Sequence, residues 1–375
     1  MTTKLRAASF QDNAVTTAKI AANAVTNAKI ADDLVPAVNL GRRNVVINGA
    51  MQVAQRSTSE TGLGASHGYF TVDRFQVFTG STAGRATMSQ ASDGPDGFAN
   101  SLKFECTTAD TTIDAGENFG IIQILEGQDL QHLKKGTSSA ESLTLSFYVK
   151  GNASATYTVE MKDNDNDRIN TQTFDVTTSW NKVSLTFAPD TIGALDDDNA
   201  GSFQFGLWLH AGSTYNGGTF TSNTWAARTN GNRVSSSATS FFDSTSRTFF
   251  ITGVKLEVGS TATDFVHESY GDTLAKCQRY YNRLGLFFAR SRLENVSSQN
   301  PDFVTTITFP PMRDAPTINT YTDANYSSSG TTSTGGSALS FTNISNQSAN
   351  ASMNSGSSGA QNISNSAYLE LDKEL

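Results

Sequence analysis

The stretch Phe203–His210 reads FQFGLWLH, and every odd position in it carries a large apolar side chain. Successive side chains of a β-strand point to opposite faces, so this alternation predicts a strand with one face in a hydrophobic core. The opposite face then carries the even positions, Gln204, Gly206, Trp208 and His210. We therefore expect the stretch to form a half-buried strand of a layered β structure.

A tryptophan on the face of a sheet that points away from the core has two interpretations. In the first, the indole of Trp208 stacks on a pyranose ring while Gln204 and His210 supply hydrogen bonds, which makes this face a sugar-binding surface. In the second, Trp208 packs under a loop or against a neighbouring subunit. The sequence alone leaves both open.

The segment that follows this strand, 211–247, is long and rich in Gly and Ser, and it carries Tyr215 and Trp225. Aromatic side chains in exposed loops are candidates for recognition, although a loop of this length also needs an aromatic anchor. The predicted ligand-binding residues are therefore Trp208, His210, Tyr215 and Trp225, with anchoring as the alternative for the loop pair.

Similar alternation recurs along residues 43–270, with turn-forming clusters of Gly, Asn and Asp between the apolar runs. The apolar positions include Leu143, Leu145, Phe147, Val149, Tyr157, Val159, Met161, Val183, Leu185, Phe187, Phe250, Val254, Leu256 and Val258. Many short strands with this punctuation indicate a mainly β fold, an antiparallel β-sandwich of the jelly-roll kind.

Residues 271–375 are expected to hold a short linking helix and a small β domain. Asp272 can cap the helix, and Leu274, Cys277 and Tyr281 recur at helical spacing. Residues 327–366 consist mostly of small polar residues, so a disordered tail is the alternative to β structure.

Residues 1–42 contain two tandem decapeptides, NAVTTAKIAA at 13–22 and NAVTNAKIAD at 23–32, with eight of ten positions identical. The repeats place Val15, Ile20, Val25 and Ile30 at a spacing of five. So few large apolar residues cannot bury a core alone, so we expect this segment to assemble with other copies of the chain. A helical seam and an extended intertwined stalk both remain open for it, and a flexible tail is the alternative.

Bulk properties exclude several classes of function. The net charge is −8 without a basic stripe, so we expect no nucleic-acid partner. No apolar run approaches the ~18 residues of a membrane span, and the N-terminus lacks an apolar signal region, so we expect no membrane insertion, no signal peptide and synthesis in the cytoplasm. Cys106 and Cys277 are too few for a disulfide framework.

No metal, cofactor or catalytic set is predicted. No histidine pair has ligand spacing and no GxSxG motif occurs. Asp163–Asp167 resembles the start of a calcium loop, but Arg168 stands where Gly is needed and Phe174 where Glu is needed, which excludes an EF-hand. A hairpin turn is the main interpretation of this acidic run, and a surface Ca²⁺ site is the alternative.

Several strings resemble a family of phage tail-fibre-like proteins, especially those of marine and cyanobacterial phages. They are NVVINGAMQVAQR (44–56), GYFTVDRFQV (68–77), LSFYVKG (145–151), SWNKVSLTF (179–187), ITGVKLEVGSTATDFVHESYGDTLAKCQRYY (251–281), FPPMRDAPT (309–317) and LELDKEL (369–375). The block at 251–281 is the most specific of them. The resemblance covers most of the chain. The decapeptide ending AKIA is similar to the N-termini of phage fibres, which implies that residues 1–42 dock the chain to the particle.

This resemblance implies a sandwich like that of a carbohydrate-binding module, a homotrimer, and a virion protein of the tail that attaches to host-surface polysaccharide without catalysis. It implies partners among the other particle proteins and transfers no catalytic residues. Two alternatives stay open: a glycan depolymerase tailspike, and a head-decoration or adaptor protein without receptor contact. Depolymerase tailspikes are generally longer, with parallel β-helix repeats, and no such repeat occurs in 43–270.

Overall fold

The structure is a computed structural model that describes residues 44–285, 302–321, 326–328, 331–332, 340–354, 361–363 and 368–375. Residues Asn44–Leu375 form one compact unit. The predicted assembly positions Val15, Ile20, Val25 and Ile30 lie outside the described residues, so their role stays a prediction.

One layer of the fold is an antiparallel sheet of six strands. In spatial order these strands are β1 (Ser59–Leu63), β4 (Arg85–Ala91), β5 (Ser101–Thr108), β13 (Thr248–Val258), β7 (Leu143–Gly151) and β10 (Asn181–Phe187). The predicted alternation at 143–149 is observed here, since Leu145, Phe147 and Val149 are fully buried.

The second layer is an antiparallel sheet of seven strands. In spatial order they are β12 (Ala226–Ala227), β9 (Arg168–Val176), β8 (Ala155–Asp163), β11 (Gly201–Ala211), β6 (Asn118–Glu126), β3 (Gln76–Gly80) and β2 (Gly68–Tyr69). The stretch that opened the sequence analysis is thus the central strand of this sheet, as its near-complete burial requires.

The core lies between the two sheets and is rich in aromatic side chains. Pairs of rings meet edge to face across the layers: Phe104 with Phe119, Phe147 with Phe174, and Tyr157 with Phe249, with centroids 5.2–5.7 Å apart. This geometry suits the ring quadrupoles and adds to the burial of apolar area. The predicted antiparallel β-sandwich is confirmed.

The predicted phase of β13 is wrong at its start. Phe249 and Ile251 face the core, whereas Phe250 faces outward, where Lys150 lies 4.9 Å from its ring centroid. The register of β13 against β7 shifts between Thr252 and Lys255, and this bulge returns Val254 to the core. A bulge inserts one residue and inverts the alternation, which a uniform period of two does not foresee.

Two α-helices lie among the described residues, α1 (Ser213–Asn216) and α2 (Tyr270–Gln278). Short 3₁₀ turns occur at Gly127–Asp129, Gln131–Leu133, Asn230–Asn232 and Phe241–Asp243. The predicted linking helix is present as α2, but it begins earlier than a cap at Asp272 implies: its cap is Ser269, whose Oγ accepts a hydrogen bond from the Asp272 backbone N–H. It ends at Gln278, so Tyr281, predicted at helical spacing, lies in the strand Tyr281–Gly285 instead. Asp272 lies in the first turn instead, where its charge suits the helix dipole.

Three small sheets of three strands follow α2. The first holds β14 (Tyr281–Gly285), β22 (Tyr368–Asp372) and β16 (Thr317–Tyr321); the second holds β15 (Asp302–Thr308), β20 (Ser348–Asn354) and β19 (Ser340–Thr342); the third holds β18 (Thr331–Thr332), β17 (Tyr326–Ser328) and β21 (Gln361–Ile363). Apolar side chains of the first two sheets form a second small core that includes Met312 and Leu371.

Buried ion pairs attach the first of these sheets to the sandwich. The Arg74 guanidinium is fully buried, pairs with Glu374, donates to the Ile124 carbonyl at 2.7 Å and lies 3.5 Å from the centroid of the Tyr280 ring. Arg56 lies 3.3 Å from the Glu374 carboxylate in turn. The carboxylates of Asp372 and Glu374, at and just after the end of β22, therefore together balance the charges of Arg56 and Arg74.

Cys106 and Cys277 are both buried and free. None of the helices in the described ranges combines the length and the apolar character needed to cross a membrane.

We predict that Glu374→Gln lowers the free energy of unfolding by about 3–5 kcal/mol, because it leaves buried Arg74 without its charged partner. Chemical denaturation of the full chain measures this. Glu141→Gln is the matched control: Glu141 pairs with Lys134 on the surface, so the change should stay within about 0.5 kcal/mol. Equal effects of the two substitutions would contradict the anchoring role of Glu374.

Candidate functional site: an aromatic groove on the seven-stranded sheet

The outer face of the seven-stranded sheet has a depression at its centre. Gly206 on β11 lies between Ile122 on β6 and Glu160 on β8. A Cβ on Gly206 would come within 2.9 Å of the Ile122 side chain, and one on Gly120 within 2.6 Å of the Phe78 ring. The absence of side chains at these two positions leaves a depression between the aromatic residues that flank it.

Trp208 forms the back wall of this depression. Its ring meets Phe78 edge to face at 4.8 Å and Tyr215 at 5.2 Å between centroids, and the Arg233 guanidinium lies 4.6 Å from its ring centroid. With contacts on several sides, Trp208 is only 3 % exposed. Phe78 and Tyr215 are half-buried and present part of their rings to solvent.

A buried ion pair holds the 211–247 segment on the sheet. The Arg233 guanidinium donates two hydrogen bonds, of 2.6 and 2.7 Å, to the Glu160 carboxylate, which is 2 % exposed. A bidentate pair of this kind fixes orientation as well as distance. Arg233 is thereby held over Trp208, and α1 brings Tyr215 to the same place.

The resulting groove has a volume of about 250 Å³. Its walls combine the rings of Phe78, Trp208 and Tyr215 with the polar groups of Gln204, Asn118 and Arg233. Apolar surface with a few convergent polar groups is the general character of small-ligand sites. We call this feature the aromatic groove.

Of the two interpretations of Trp208 that the sequence left open, the structure shows the second, packing under a loop. Alternation assigned its face correctly, but the 211–247 segment covers the indole, so its ring is not free to stack on a ligand. Tyr215 is the one predicted ligand-binding residue whose ring lines the groove and is partly accessible. Phe78, Gln204 and Arg233 join it, and of these only Gln204 stood out in the sequence.

His210 does not share an open face with Trp208. The register against β6 shifts between these two residues, and His210 is 2 % exposed with its ring 5.3 Å from that of Phe242 in the core. Its Nδ1 lies 2.8 Å from the Ser240 hydroxyl. Burial lowers the pKa of His210 to about 4, so the imidazole is neutral at pH 7.

Trp225 lies apart from the aromatic groove and anchors its own segment. The indole N–H donates to the Ala188 carbonyl at 2.7 Å, and the ring packs against Phe203 with centroids 6.0 Å apart. This contact matches the anchoring interpretation of the loop aromatics.

The acidic run Asp163–Asp167 is a turn between β8 and β9 whose carboxylates have protein partners. Buried Asp163 pairs with Lys135, Asp165 accepts from the Asp196 backbone N–H, and Asp167 pairs with Arg228. The hairpin interpretation of this run is therefore the observed one.

A cluster that the sequence did not indicate lies at one end of the sandwich. Asp110, Glu117 and His210 are all buried, and one potential ligand atom of each lies within 4.8 Å of the others. Burial and the neighbouring Asp110 raise the pKa of Glu117. The three residues are far apart in sequence and follow no spacing rule, so only the fold brings them together.

No protein-family model matches the chain, and no curated protein matches it either. Among solved structures it is similar to TmCBM61 in complex with β-1,4-galactotriose (TM-score 0.29, 10 % identity, 57 % of this chain and 97 % of that chain). It is also similar to the family 11 carbohydrate-binding module of the cellulosomal cellulase Lic26A-Cel5E of Clostridium thermocellum (TM-score 0.27, 13 % identity, 55 % and 99 %).

A third similar structure is the N-terminal cellulose-binding domain of Cellulomonas fimi β-1,4-glucanase C (TM-score 0.27, 12 % identity, 50 % of this chain and 90 % of that chain). At these identities and TM-scores the likeness adds nothing to what the strands and sheets themselves define.

We predict that Trp208→Ala lowers the free energy of unfolding by about 3–5 kcal/mol, because it empties the space between Phe78, Tyr215 and Arg233. Tyr270→Ala is the control, since Tyr270 is 58 % exposed and its loss should change stability by less than about 0.5 kcal/mol. Thermal unfolding compares the two; an unchanged melting temperature for Trp208→Ala would show that the indole is not a structural wall.

Proposed function

We propose that this protein binds a glycan without cleaving it, through the aromatic groove, and that it does so as a tail fibre or similar appendage of a phage particle. The observation that carries the binding part is the pairing of two partly exposed rings, Phe78 and Tyr215, with the polar side chains of Gln204 and Arg233 in one groove. A pyranose has apolar C–H faces and a polar rim of hydroxyls, and this lining is complementary to both.

The rigidity of the groove supports this proposal. Tyr215 and Phe78 both pack on Trp208, and the loop above is fixed by the Arg233–Glu160 pair. Rings held in place before binding lose little conformational entropy when the ligand arrives, which raises the affinity that a small contact area gives.

The carboxylates near the aromatic groove favour binding over hydrolysis. Glycoside hydrolysis generally uses two carboxyl groups about 5–9.5 Å apart on either side of the scissile bond. Among the described residues that line the groove, Glu160 is the one carboxylate, and both of its oxygens accept hydrogen bonds from Arg233. We accordingly place this protein among binding proteins rather than enzymes.

The virion assignment rests on the sequence. The strings at 44–56 and 251–281 resemble phage tail-fibre-like proteins, and the tandem decapeptides suit assembly of several copies. In a homotrimer each particle would present several grooves, and simultaneous engagement raises the avidity far above the affinity of a single groove. The ligand that we propose for these grooves is host-surface polysaccharide.

We predict that Tyr215→Ala weakens glycan binding about tenfold or more, since one stacked aromatic ring contributes about 1–2 kcal/mol. Screening the full chain on an array of bacterial surface polysaccharides identifies the ligand, and titration of the variants follows. Tyr270→Ala, which removes an exposed tyrosine that does not line the groove, should bind as the unaltered protein does. The proposal would be overturned if none of the polysaccharides bound, or if Tyr215→Ala and Tyr270→Ala bound equally well.

A further prediction concerns assembly. Deleting residues 1–42 should leave the sandwich folded, because its described strands begin at Ser59 and its described contacts begin at Asn44. The deletion should abolish both the trimer in analytical ultracentrifugation and incorporation into particles. A full-length chain that sediments as a folded monomer, or a truncated chain that still enters particles, would contradict the role of the repeats.

A further inference from the structure

Three polar side chains converge where β5 and β11 end and β6 begins. Asp110 follows β5, Glu117 immediately precedes β6, and His210 is the last residue but one of β11. All three are at least 95 % buried, and their potential ligand atoms lie within 4.8 Å of one another. We call these residues the carboxylate–histidine cluster.

The carboxylates of this cluster differ from most other buried carboxylates in the described ranges. Asp73 accepts two hydrogen bonds from Gln55. Asp163, Asp190, Glu126, Glu160, Glu257 and Glu374 each lie within ion-pair distance of a lysine or arginine. Asp110 and Glu117 have no such partner in the part of the chain that the structure describes, and the ionisable base beside them is His210. Two buried carboxylates side by side cannot both stay charged without compensation: either one takes up a proton or a cation binds between them.

His210 is oriented as a ligand to such a charge. Its Nδ1 is hydrogen-bonded to the Ser240 hydroxyl at 2.8 Å, while its buried Nε2 has no hydrogen-bond partner. The Nε2 atom faces the Glu117 carboxylate at 3.5 Å. In metal sites a ligating histidine is generally held by a hydrogen bond at one ring nitrogen, as Ser240 holds Nδ1 here, and binds the ion through the other.

We propose that Asp110, Glu117 and His210 bind one divalent transition-metal ion, with Zn²⁺ the best fit. Tetrahedral Zn²⁺ bound by nitrogen and oxygen ligands at about 2.0–2.1 Å places neighbouring ligand atoms roughly 3.3–3.4 Å apart. The 3.5 Å between His210 Nε2 and Glu117 Oε2 is close to this spacing. Two carboxylates and one neutral imidazole carry the charge that balances a divalent ion.

The surroundings of the cluster complete this site. The Asp110 carboxylate accepts hydrogen bonds from the Thr82 hydroxyl at 2.9 Å and the Ala83 backbone N–H at 3.0 Å, which fix its position. A cavity of about 250 Å³ borders His210, and a water molecule would serve as the fourth ligand. Ca²⁺ fits poorly, because it requires six to eight oxygen ligands and does not favour imidazole.

The bound ion would tie together segments that no covalent link joins. It would connect the β5–β6 connection to the end of β11, and through Ser240 to the 211–247 segment above the aromatic groove. Metal binding would therefore stabilise the folded state in addition to satisfying the two carboxylates.

The test uses the full chain, treated with EDTA and desalted, and titrated with Zn²⁺ alone by calorimetry. We expect one ion per chain with micromolar or tighter affinity, and a rise of several degrees in melting temperature at about 100 times the dissociation constant. Co²⁺ in place of Zn²⁺ should give the visible absorption of a four-coordinate nitrogen–oxygen site.

Two variants locate the site and two control for surface binding. His210→Asn and Glu117→Gln should each weaken Zn²⁺ binding about 100-fold, whereas His132→Asn and Glu141→Gln, which alter exposed residues, should not. Glu117→Gln keeps the shape of the side chain and serves if His210→Asn does not fold. Absence of saturable Zn²⁺ binding, preference for Ca²⁺, or unchanged binding by Glu117→Gln would overturn the proposal.

Discussion

Burying a charge in this sandwich requires a partner of opposite sign, and several segments of the molecule are held in place by that requirement. Arg233 with Glu160 fixes the 211–247 segment on the seven-stranded sheet, and Arg74 with Glu374 attaches β22 to the sandwich. Lys135 lies between Asp163 and Asp190 and ties the β8–β9 turn to the connection that precedes β11. An isolated buried ion is so costly that each partner in effect specifies the position of the other.

The same constraint explains why the aromatic groove is well defined although two of its walls come from a long polar loop. Arg233 satisfies Glu160 and at the same time lies over Trp208, so the electrostatic and aromatic contacts require the same loop conformation. Trp208 then supports the rings of Phe78 and Tyr215 from behind. Trp208 thus contributes to the groove by holding the rings of Phe78 and Tyr215 in position, and its own ring is not exposed to a ligand.

Most of the architecture could be predicted because a half-buried strand repeats every two residues. The strands at 143–149 and 203–209 follow from that period alone. Alternation does not show which segment packs on a sheet face. The sequence alone therefore did not show that the 211–247 segment covers Trp208. Alternation also does not reveal where a strand contains an extra residue. The bulge near Thr252 makes Phe250 face the opposite side from Val254, against the expected common phase. The bulge near His210 turns this residue toward Phe242. The carboxylate–histidine cluster combines residues from separate segments, so no local sequence pattern predicts it.

The order of strands in the two sheets has a consequence for how the chain reaches this structure. The central strand β11 lies between β6 and β8, and β13 lies between β5 and β7, so in each sheet a late segment is inserted between two earlier ones. During synthesis the inner edges of β5, β6, β7 and β8 therefore have no neighbour until residue 211 or residue 258 has been made. Unpaired edges are templates for wrong pairing, and non-local pairing is slow. The nascent chain thus has most unpaired inner edges just before β11 is made, two of them persist until β13 is complete, and the two inserted strands are the steps that close the sandwich.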